Sequence, residues 1–264
     1  MSAVLSISRI VFRLFIPRWS IYRIAATRLD VQVSVEDIKK ATITRGALYR
    51  ALSRGFSLEI DEAYVEWLLL LQPTIKKLAD NIDNKDFKSG SDGLNAFTDR
   101  VKLDYNKDRA IFLQDLAAEY ANLFLNVGKI HVYLIESVYL GAHPLLYEKQ
   151  YFDVVRMYDL YGFKKRQSFK EPEDNIAVEL EFMAHLCDLA CRSIDEGKND
   201  YGAGYMKNQA EFLDLHLSKW VPKLVNKLRS ASKNDFYLAL GDLLIGFTST
   251  DQATASDFAE HLLP

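Results

Sequence analysis

The stretch EPEDNIAVELEFMAHLCDLACRSI, residues 171–194, indicates the fold class of this 264-residue chain. After an acidic start that contains a proline, apolar side chains recur at spacings of three and four residues: Ile176, Leu180, Met183, Cys187 and Ala190. This spacing places them on one face of an α-helix, as in a helix that packs against a core. The stretch therefore predicts a long helix over about 174–194, with Asp174 as its N-cap.

Helical patterns also occupy most of the chain outside this stretch. Further helices are predicted at 35–55, 60–82, 107–127, 145–161, 203–217, 219–229, 235–247 and 251–262. Pro73 is expected to kink or divide the second of these, and Asp235 and Asp251 are expected to cap the last two. Only KIHVYLIESVYL, residues 129–140, resembles an alternating strand. The predicted fold is therefore all-α, one domain of about ten helices.

Two segments are expected to lack regular structure. Residues 83–93, DNKDFKSGSDG, are polar with two Gly and two Ser, and they predict a loop or linker that could act as a hinge. Residues 128–144 contain Gly128, Gly141 and Pro144, and they predict a long irregular connection. Long connections inside compact domains are often functional, so this one is a candidate for a binding role.

The first thirty residues differ from the rest of the chain in charge. Residues 1–29 contain five arginines and no acidic residue, so the remainder holds 28 basic and 36 acidic residues, a net charge of −8. The arginines interrupt the apolar run, so this start resembles neither a secretory signal nor a membrane span. We expect residues 1–30 to be a poorly ordered basic extension or the product of an upstream start codon. Weak contact of residues 1–28 with anionic lipid and a helix packed on the body are the alternatives.

The composition and the motifs argue against several functional classes. An acidic body does not suit nucleic acid and favours cationic partners. The chain has no phosphate-binding loop, no dinucleotide fingerprint, no HExxH zinc motif and no GxSxG nucleophile elbow, so no enzyme class is indicated. Its two cysteines, Cys187 and Cys191, lie four residues apart without further ligands nearby, and we interpret them as core residues. No metal site and no cofactor are expected.

Four stretches taken in order carry a family resemblance. They are EYANLF (119–124), ESVYLG (136–141), EPEDNIAVELEFMAHL (171–186) and FLDLHLSKWVPKL (212–224). In this order and at these distances they resemble the TorD/DmsD/NarJ family of redox-enzyme maturation chaperones, over roughly residues 45–247. The third stretch is the most specific mark, and the HLxxWxP pattern of the fourth is the second.

The resemblance implies an all-helical, cytoplasmic, non-catalytic chaperone. Such proteins bind the twin-arginine signal peptide, and sometimes the body, of the precursor of a molybdopterin-containing oxidoreductase. They hold this client until its cofactor is inserted and export or assembly can proceed. The resemblance is compatible with a monomer or with a dimer that exchanges domains through the 83–93 linker. An acidic surface beside an aromatic groove would suit a peptide with two arginines and an apolar tail.

The resemblance also assigns client-peptide binding to particular positions of this chain. They are Glu171, Pro172, Asp174 and Asn175 in the acidic loop, Tyr120 and Leu123 on one helix, and Tyr139 in the SVYL element. Where the family usually has Asp-His, this chain has Asp174-Asn175, and Asn does not become charged near neutral pH. The tyrosines of 145–161 are a further candidate for the groove.

Two other functions stay open beside the chaperone. One is a helical scaffold or interaction protein whose N-terminus touches a membrane. The other is a nucleotide-binding enzyme, which the missing phosphate loop disfavours. A neighbouring reading frame for a molybdopterin oxidoreductase would discriminate best among the three.

Overall fold

The computed structural model of this chain describes residues 33–105, 107–141 and 149–263. These residues are mainly helical, and the only β-type pairing among them is an isolated bridge between Ile135 and Asn175. The all-α prediction is therefore confirmed. The basic extension predicted for residues 1–30 lies outside the described residues.

The helices are α1 (Val35–Ser57), α2 (Glu62–Ala79), α3 (Lys85–Arg100), α4 (Arg109–Phe124), α5 (Glu136–Leu140), α6 (Lys149–Leu160), α7 (Ile176–Asp195), α8 (Asn199–Phe212), α9 (Ser218–Ala231) and α10 (Asp235–Leu262). Two π-helical turns follow α3 (Val101–Tyr105) and join α8 to α9 (Leu213–Leu217). Side-chain caps start many of the helices, because an Asx or Ser oxygen accepts a hydrogen bond from the first turn. These caps are Ser34, Asp61, Asn84, Asp108, Asn175 and Asn234.

Helix α7 lies in the interior of the bundle and packs against α1 and α8, while α10 packs against α3, α8 and α9. The apolar stripe predicted for α7 is confirmed, since each of its members is at most 1% exposed: Ile176, Leu180, Met183, Cys187 and Ala190. Burial raises the pKa of the Cys187 thiol to about 12, so this cysteine stays protonated in the core.

The segment expected to be a linker, residues 83–93, is a correction to the sequence analysis. From Lys85 onward it belongs to α3, which Asn84 caps. Its glycines allow a close approach to α10, because a Cβ on Gly90 would lie 2.5 Å from the Leu243 nitrogen. The small and polar residues that suggested a loop therefore serve a tight helix–helix contact.

The C-terminal third contains a second correction. The predicted break before residue 251 does not occur, and α10 runs without interruption from Asp235 to Leu262. Asp251 is 2% exposed and caps no helix. It accepts hydrogen bonds from Arg45 Nε at 2.5 Å and Nη2 at 2.8 Å, which joins α1 to α10 through a buried ion pair. The N-cap of α10 is Asn234 rather than Asp235.

The remaining predictions of local structure are partly confirmed. Helix α2 continues through Pro73 without a division. The irregular connection predicted from residue 128 is present up to Gly141, interrupted by the short α5, and residues 142–148 lie outside the described ranges. Gly162 follows α6 with a φ of +63°, the left-handed conformation expected at a helix C-terminus. No helix in the described part of the chain is long and apolar enough to cross a membrane.

Candidate functional site

Three of the four family-like stretches meet inside the protein at a set of buried polar side chains. We call this set the buried acidic cluster, and each of its members is at most 5% exposed: Glu136, Asp174, Glu179, His216 and Trp220. The residues come from α5, from the loop before α7, from α7 itself, from the π-helical turn and from α9. The cluster therefore joins elements that are far apart in the sequence.

His216 and Glu136 form the first contact of the cluster. The Nδ1 atom of His216 lies 2.9 Å and 3.1 Å from the two carboxylate oxygens of Glu136, and in the tautomer with hydrogen on Nδ1 it donates a hydrogen bond to this carboxylate. The imidazole also stacks on Phe212, with ring centroids 4.7 Å apart. Glu136 is completely buried, and the hydrogen bond with His216 replaces hydrogen bonds to water that the carboxylate loses on burial.

Glu179 is the second buried carboxyl group, and it lies between Trp220 and Glu136. The indole Nε1 of Trp220 donates to Glu179 Oε2 at 3.1 Å. Burial raises the pKa of Glu179 well above its ordinary value, and the negative charge of Glu136 raises it further. Glu179 therefore keeps its proton beside the carboxylate of Glu136.

Asp174 holds the acidic loop against α5. Its Oδ2 accepts a hydrogen bond from the Ser137 backbone nitrogen at 2.9 Å, and its carbonyl oxygen accepts one from the Glu136 nitrogen at 2.9 Å. Asp174 thus caps α5, and the N-cap of α7 is Asn175, which accepts from Ala177 at 2.9 Å. The prediction that Asp174 caps α7 is wrong, because its carboxylate is already engaged by the neighbouring helix.

The seven residues assigned by resemblance divide into buried and accessible positions. Pro172, Asp174, Asn175, Tyr120 and Leu123 are buried, Tyr139 is half-buried, and Glu171 is exposed. The Tyr139 ring stacks on Trp220 at 5.7 Å and its hydroxyl donates to the Tyr133 carbonyl at 2.9 Å. The structure therefore places Asp174 in the buried acidic cluster, with Asn175 next to it in the chain and Tyr139 stacked on Trp220, and leaves Glu171 facing solvent.

The exposed end of the loop lies near the C-terminus of α1. Burial raises the pKa of Tyr120 to about 12, and the negative charges of Glu171 and Glu59 raise it while Arg54 lowers it. Both carboxylates are therefore within electrostatic reach of this one hydroxyl, which donates to the Phe56 carbonyl at 3.2 Å. We call the exposed residues Leu58, Glu59 and Glu171 the acidic edge.

Arg54 does not neutralise the acidic edge by a direct ion pair with either of its carboxylates. Its guanidinium donates to the carbonyl oxygens of Leu58 and Glu59 and pairs with Asp61 at 2.9 Å. Among the described residues, no ion pair joins a cationic side chain to either carboxylate of the edge, and Lys165 at the loop donates to the Glu171 carbonyl oxygen and pairs with Glu173. Leu58, which is 52% exposed, supplies an apolar surface next to them.

Sequence reasoning missed the roles of Glu136, Glu179, His216 and Trp220. All four occur in the stretches that carry the resemblance, but no function was assigned to them. A signal was present in α7, where Glu179 follows Ile176 by three residues and so falls on the face predicted to be apolar. The tyrosines predicted as a groove are partly core: Tyr158 is 3% exposed and its hydroxyl donates to the Glu173 carbonyl at 3.0 Å.

Comparison with known proteins shows the family of this chain. A model of the nitrate reductase delta subunit family matches residues 84–226, more than half of the chain. The chain belongs to this family. The resemblance to TorD, DmsD and NarJ proteins that the four stretches carried is thereby confirmed. Among the described residues, no group of three or more His, Cys, Asp or Glu side chains is arranged to hold a metal ion.

Curated relatives of this chain bear the name chaperone protein TorD. The relative from Photobacterium profundum is 34% identical over 139 residues, which are 53% of this chain and 63% of that protein, slightly under two thirds of its length. The relative from Vibrio parahaemolyticus is 27% identical over 220 residues, 83% of this chain and 98% of that protein. The relative from Shewanella pealeana is 28% identical over 84% of this chain and 94% of its own length. No solved structure matches this chain.

Proposed function

We propose that this protein is a maturation chaperone for the precursor of a molybdopterin-containing oxidoreductase. It binds the twin-arginine signal peptide or the body of that precursor and holds it for cofactor insertion before export or assembly. The observation that carries the proposal is membership of the family, together with TorD chaperones that match more than four fifths of the chain. The protein works in the cytoplasm, without catalytic activity or a cofactor of its own. Family membership favours this function over a scaffold or a nucleotide-binding enzyme.

The acidic edge is the part of the assigned loop that suits an arginine pair. Glu171 and Glu59 present two carboxylates to solvent, and guanidinium groups form strong, geometrically specific hydrogen bonds with carboxylates. The C-terminus of α1 lies beside them and adds the partial negative charge of its carbonyl groups. Leu58 would contact the apolar residues that accompany the arginines in such a signal.

The buried members of the assigned set act through the position of the loop. Asp174 and Asn175 fasten the loop to α5 and α7, and Glu171 precedes them in the chain by three and four residues. In this proposal they are positioning residues, and Glu171 is the residue that touches the client. A loss of either positioning residue would weaken client binding and lower stability together.

The test is calorimetry with two peptides that carry the same apolar tail, one with an Arg-Arg pair and one with Gln-Gln. We expect the Arg-Arg peptide to bind more tightly, and Glu59→Gln with Glu171→Gln to weaken it about 2- to 30-fold, as for two exposed ion pairs. Glu260→Gln, which removes an exposed charge on α10, is the matched control and should bind like the wild type. Equal affinity for both peptides, or none for either, would reject the signal-peptide version and leave binding to the enzyme body.

A further inference from the structure

An open depression on α8 lies outside the site described above. It has a volume of about 370 Å³, in the range of about 300–1,000 Å³ that is usual for ligand pockets. Its lining residues are Tyr161, Asp200, Tyr201, Gly204, Tyr205 and Asn208. We call it the tyrosine depression. A Cβ added at Gly204 would meet no atom of the described residues within 4 Å, so this position opens into the depression.

The chemistry of the tyrosine depression suits a cation. Tyr201 is 61% exposed, and the rings of Tyr161 and Tyr205 meet edge to face with centroids 6.0 Å apart. Aromatic faces attract guanidinium groups, and carboxylates strengthen that attraction. Asp200 lies in the lining, and the charge of Glu211 acts on Tyr161 strongly enough to raise its pKa in addition to burial.

Two of the cationic side chains near the depression are engaged, while Lys207 of α8 is exposed. Lys198 precedes Asp200 in the chain and pairs with Glu196 at 2.7 Å. His185 uses its Nε2 in a 3.0 Å contact with the Tyr161 carbonyl oxygen. The depression is therefore an aromatic and acidic surface that can accept positive charge from another segment.

The N-terminal segment of this same chain has the complementary composition. Residues 1–29 carry five arginines with no acidic residue, and they include the apolar and aromatic side chains Phe12, Phe15, Trp19 and Tyr22. The body that follows has a net charge of −8. A cationic, aromatic segment and an acidic, aromatic depression complement each other in both respects.

The chain also enters the described fold close to the depression. Val33 packs against a small apolar cluster that includes Ile38 and Met206, and Tyr205 of the depression packs against the same cluster. Arg28 and Arg23 precede Val33 by five and ten residues, and ten extended residues span up to about 33 Å. The covalent connection keeps the segment at a local concentration of about millimolar, so even weak contacts would be populated.

We propose that the tyrosine depression is a binding site for arginine side chains and that residues 1–29 of the same chain occupy it. The occupant is thus an intramolecular basic peptide. The site is separate from the acidic edge, so the proposed client binding does not depend on it.

The first experiment places a photo-crosslinking benzoylphenylalanine at Tyr201 in the full-length chain. Equal amounts of isotopically labelled and unlabelled protein are mixed before illumination, and crosslinked peptides are identified by mass spectrometry. We expect crosslinks from position 201 to residues 1–29 within one isotopic form. The same crosslinker at Ile111, an exposed position on α4, is the control and should not reach this segment. Crosslinks between the two isotopic forms would assign the occupant to a second copy and overturn the proposal, as would their absence from residues 1–29.

The second experiment measures the rate of trypsin cleavage after Arg23 and Arg28, which occupancy should slow. Gly204→Leu places a larger side chain in the depression at a position where a Cβ meets no described atom within 4 Å, and a leucine favours the helix more than the glycine does. We expect Gly204→Leu and Asp200→Asn each to raise the cleavage rate about 2- to 30-fold, the range of a cation–π contact. Asp92→Asn removes the same charge from an exposed position on α3 and should leave the rate unchanged. Equal rates in wild type and Gly204→Leu would contradict occupancy of the depression.

Discussion

Glu179 makes the stability of this protein depend on pH, because it is a buried carboxyl group with a raised pKa. Below the ordinary pKa of a glutamate, the folded and the unfolded chain both hold the proton, and Glu179 contributes fully to the free energy of unfolding. As the pH rises through the folded-state pKa, the unfolded chain has already released the proton, so this stabilisation is lost. Asp174 shifts in the same direction, since burial also raises its pKa.

Glu179→Gln tests this residue without changing its shape. The amide oxygen can still accept the hydrogen bond from Trp220 Nε1, but the amide does not titrate. We expect the variant to match the wild type near pH 4 to 5, at about the pKa of a free glutamate, and to be more stable at pH 8. Denaturant unfolding over this range is the measurement, with the exposed Glu260→Gln as control. A constant difference between variant and wild type at all pH values would show that Glu179 is ionised in the fold.

Variants at Asp174 distinguish a structural role of the acidic loop from a binding role. Asp174→Ala removes the acceptor of the Ser137 nitrogen inside the protein, and an unsatisfied buried donor costs about 1–3 kcal/mol. We therefore expect a lower melting temperature together with weaker peptide binding. Asp174→Asn keeps an acceptor oxygen and should recover most of the stability. If Asp174→Ala melts like the wild type but no longer binds the peptide, Asp174 contacts the client directly.

At the level of single residues, the sequence predicted a binding loop but not the direction of its side chains. The acidic residues before α7 were predicted as one binding loop, yet Glu171 is exposed and Asp174 is completely buried. The hydrogen bonds that bury Asp174 come from residues 136 and 137, which are remote in sequence. Local spacing contains no information about such a contact, so a motif shared with a family did not distinguish touching the client from holding the loop.

Among the helices, the contact between α3 and α10 depends on glycines that no side chain can replace. A Cβ on Gly246 would lie 2.3 Å from the Phe87 nitrogen. We expect Gly246→Ala to lower the free energy of unfolding by about 1–3 kcal/mol, because the helices must separate. Gly204→Ala, on the open side of α8, is the control and should raise it by about 0.5–1 kcal/mol. Thermal melting of both variants is the measurement. An equal change in the free energy of unfolding for the two variants would show that a side chain at residue 246 does not disturb the contact between α3 and α10.

The sequence predicted helices well where apolar residues repeat, and poorly where packing uses small residues. Helix α7 follows from its stripe, and α1 begins at Val35, where the sequence predicted it. Helix α3 was missed because glycine and serine favour loops in isolation, whereas here they allow two backbones to approach. The break predicted before Asp251 has a similar origin. An aspartate after polar residues suggests a cap, and its buried arginine partner is 206 residues away in the sequence.

For the whole molecule, the separation of charge governs how a cationic client would be captured. The body carries a net charge of −8, and the proposed contacts of the client lie on an exposed edge where salt screens them. We expect the affinity for the Arg-Arg peptide to fall as ionic strength rises, by up to the same 2- to 30-fold factor, while the Gln-Gln peptide changes little. Calorimetry from about 0.01 M to 1 M salt measures this. A salt-independent affinity would place the arginines in a buried site instead.

The fold class and the family could be predicted from the whole sequence, but the arrangement of the site could not. Four short stretches in order were enough for the family, because each is a local pattern of residues. The buried acidic cluster brings together residues 136, 179 and 216, and only the tertiary structure places them side by side. The polar residues of a core are the hardest to predict, since each is acceptable only with its particular partners.

The close contact of α3 and α10 also has a consequence for hydrogen exchange. Where Gly90 and Gly246 bring the two backbones together, no layer of water fits between the helices, so their amides can exchange only when the helices come apart. Deuterium uptake should therefore be among the slowest in the chain over residues 87–98 and 239–247. A segment whose composition resembles that of a hinge would then open only together with the rest of the protein.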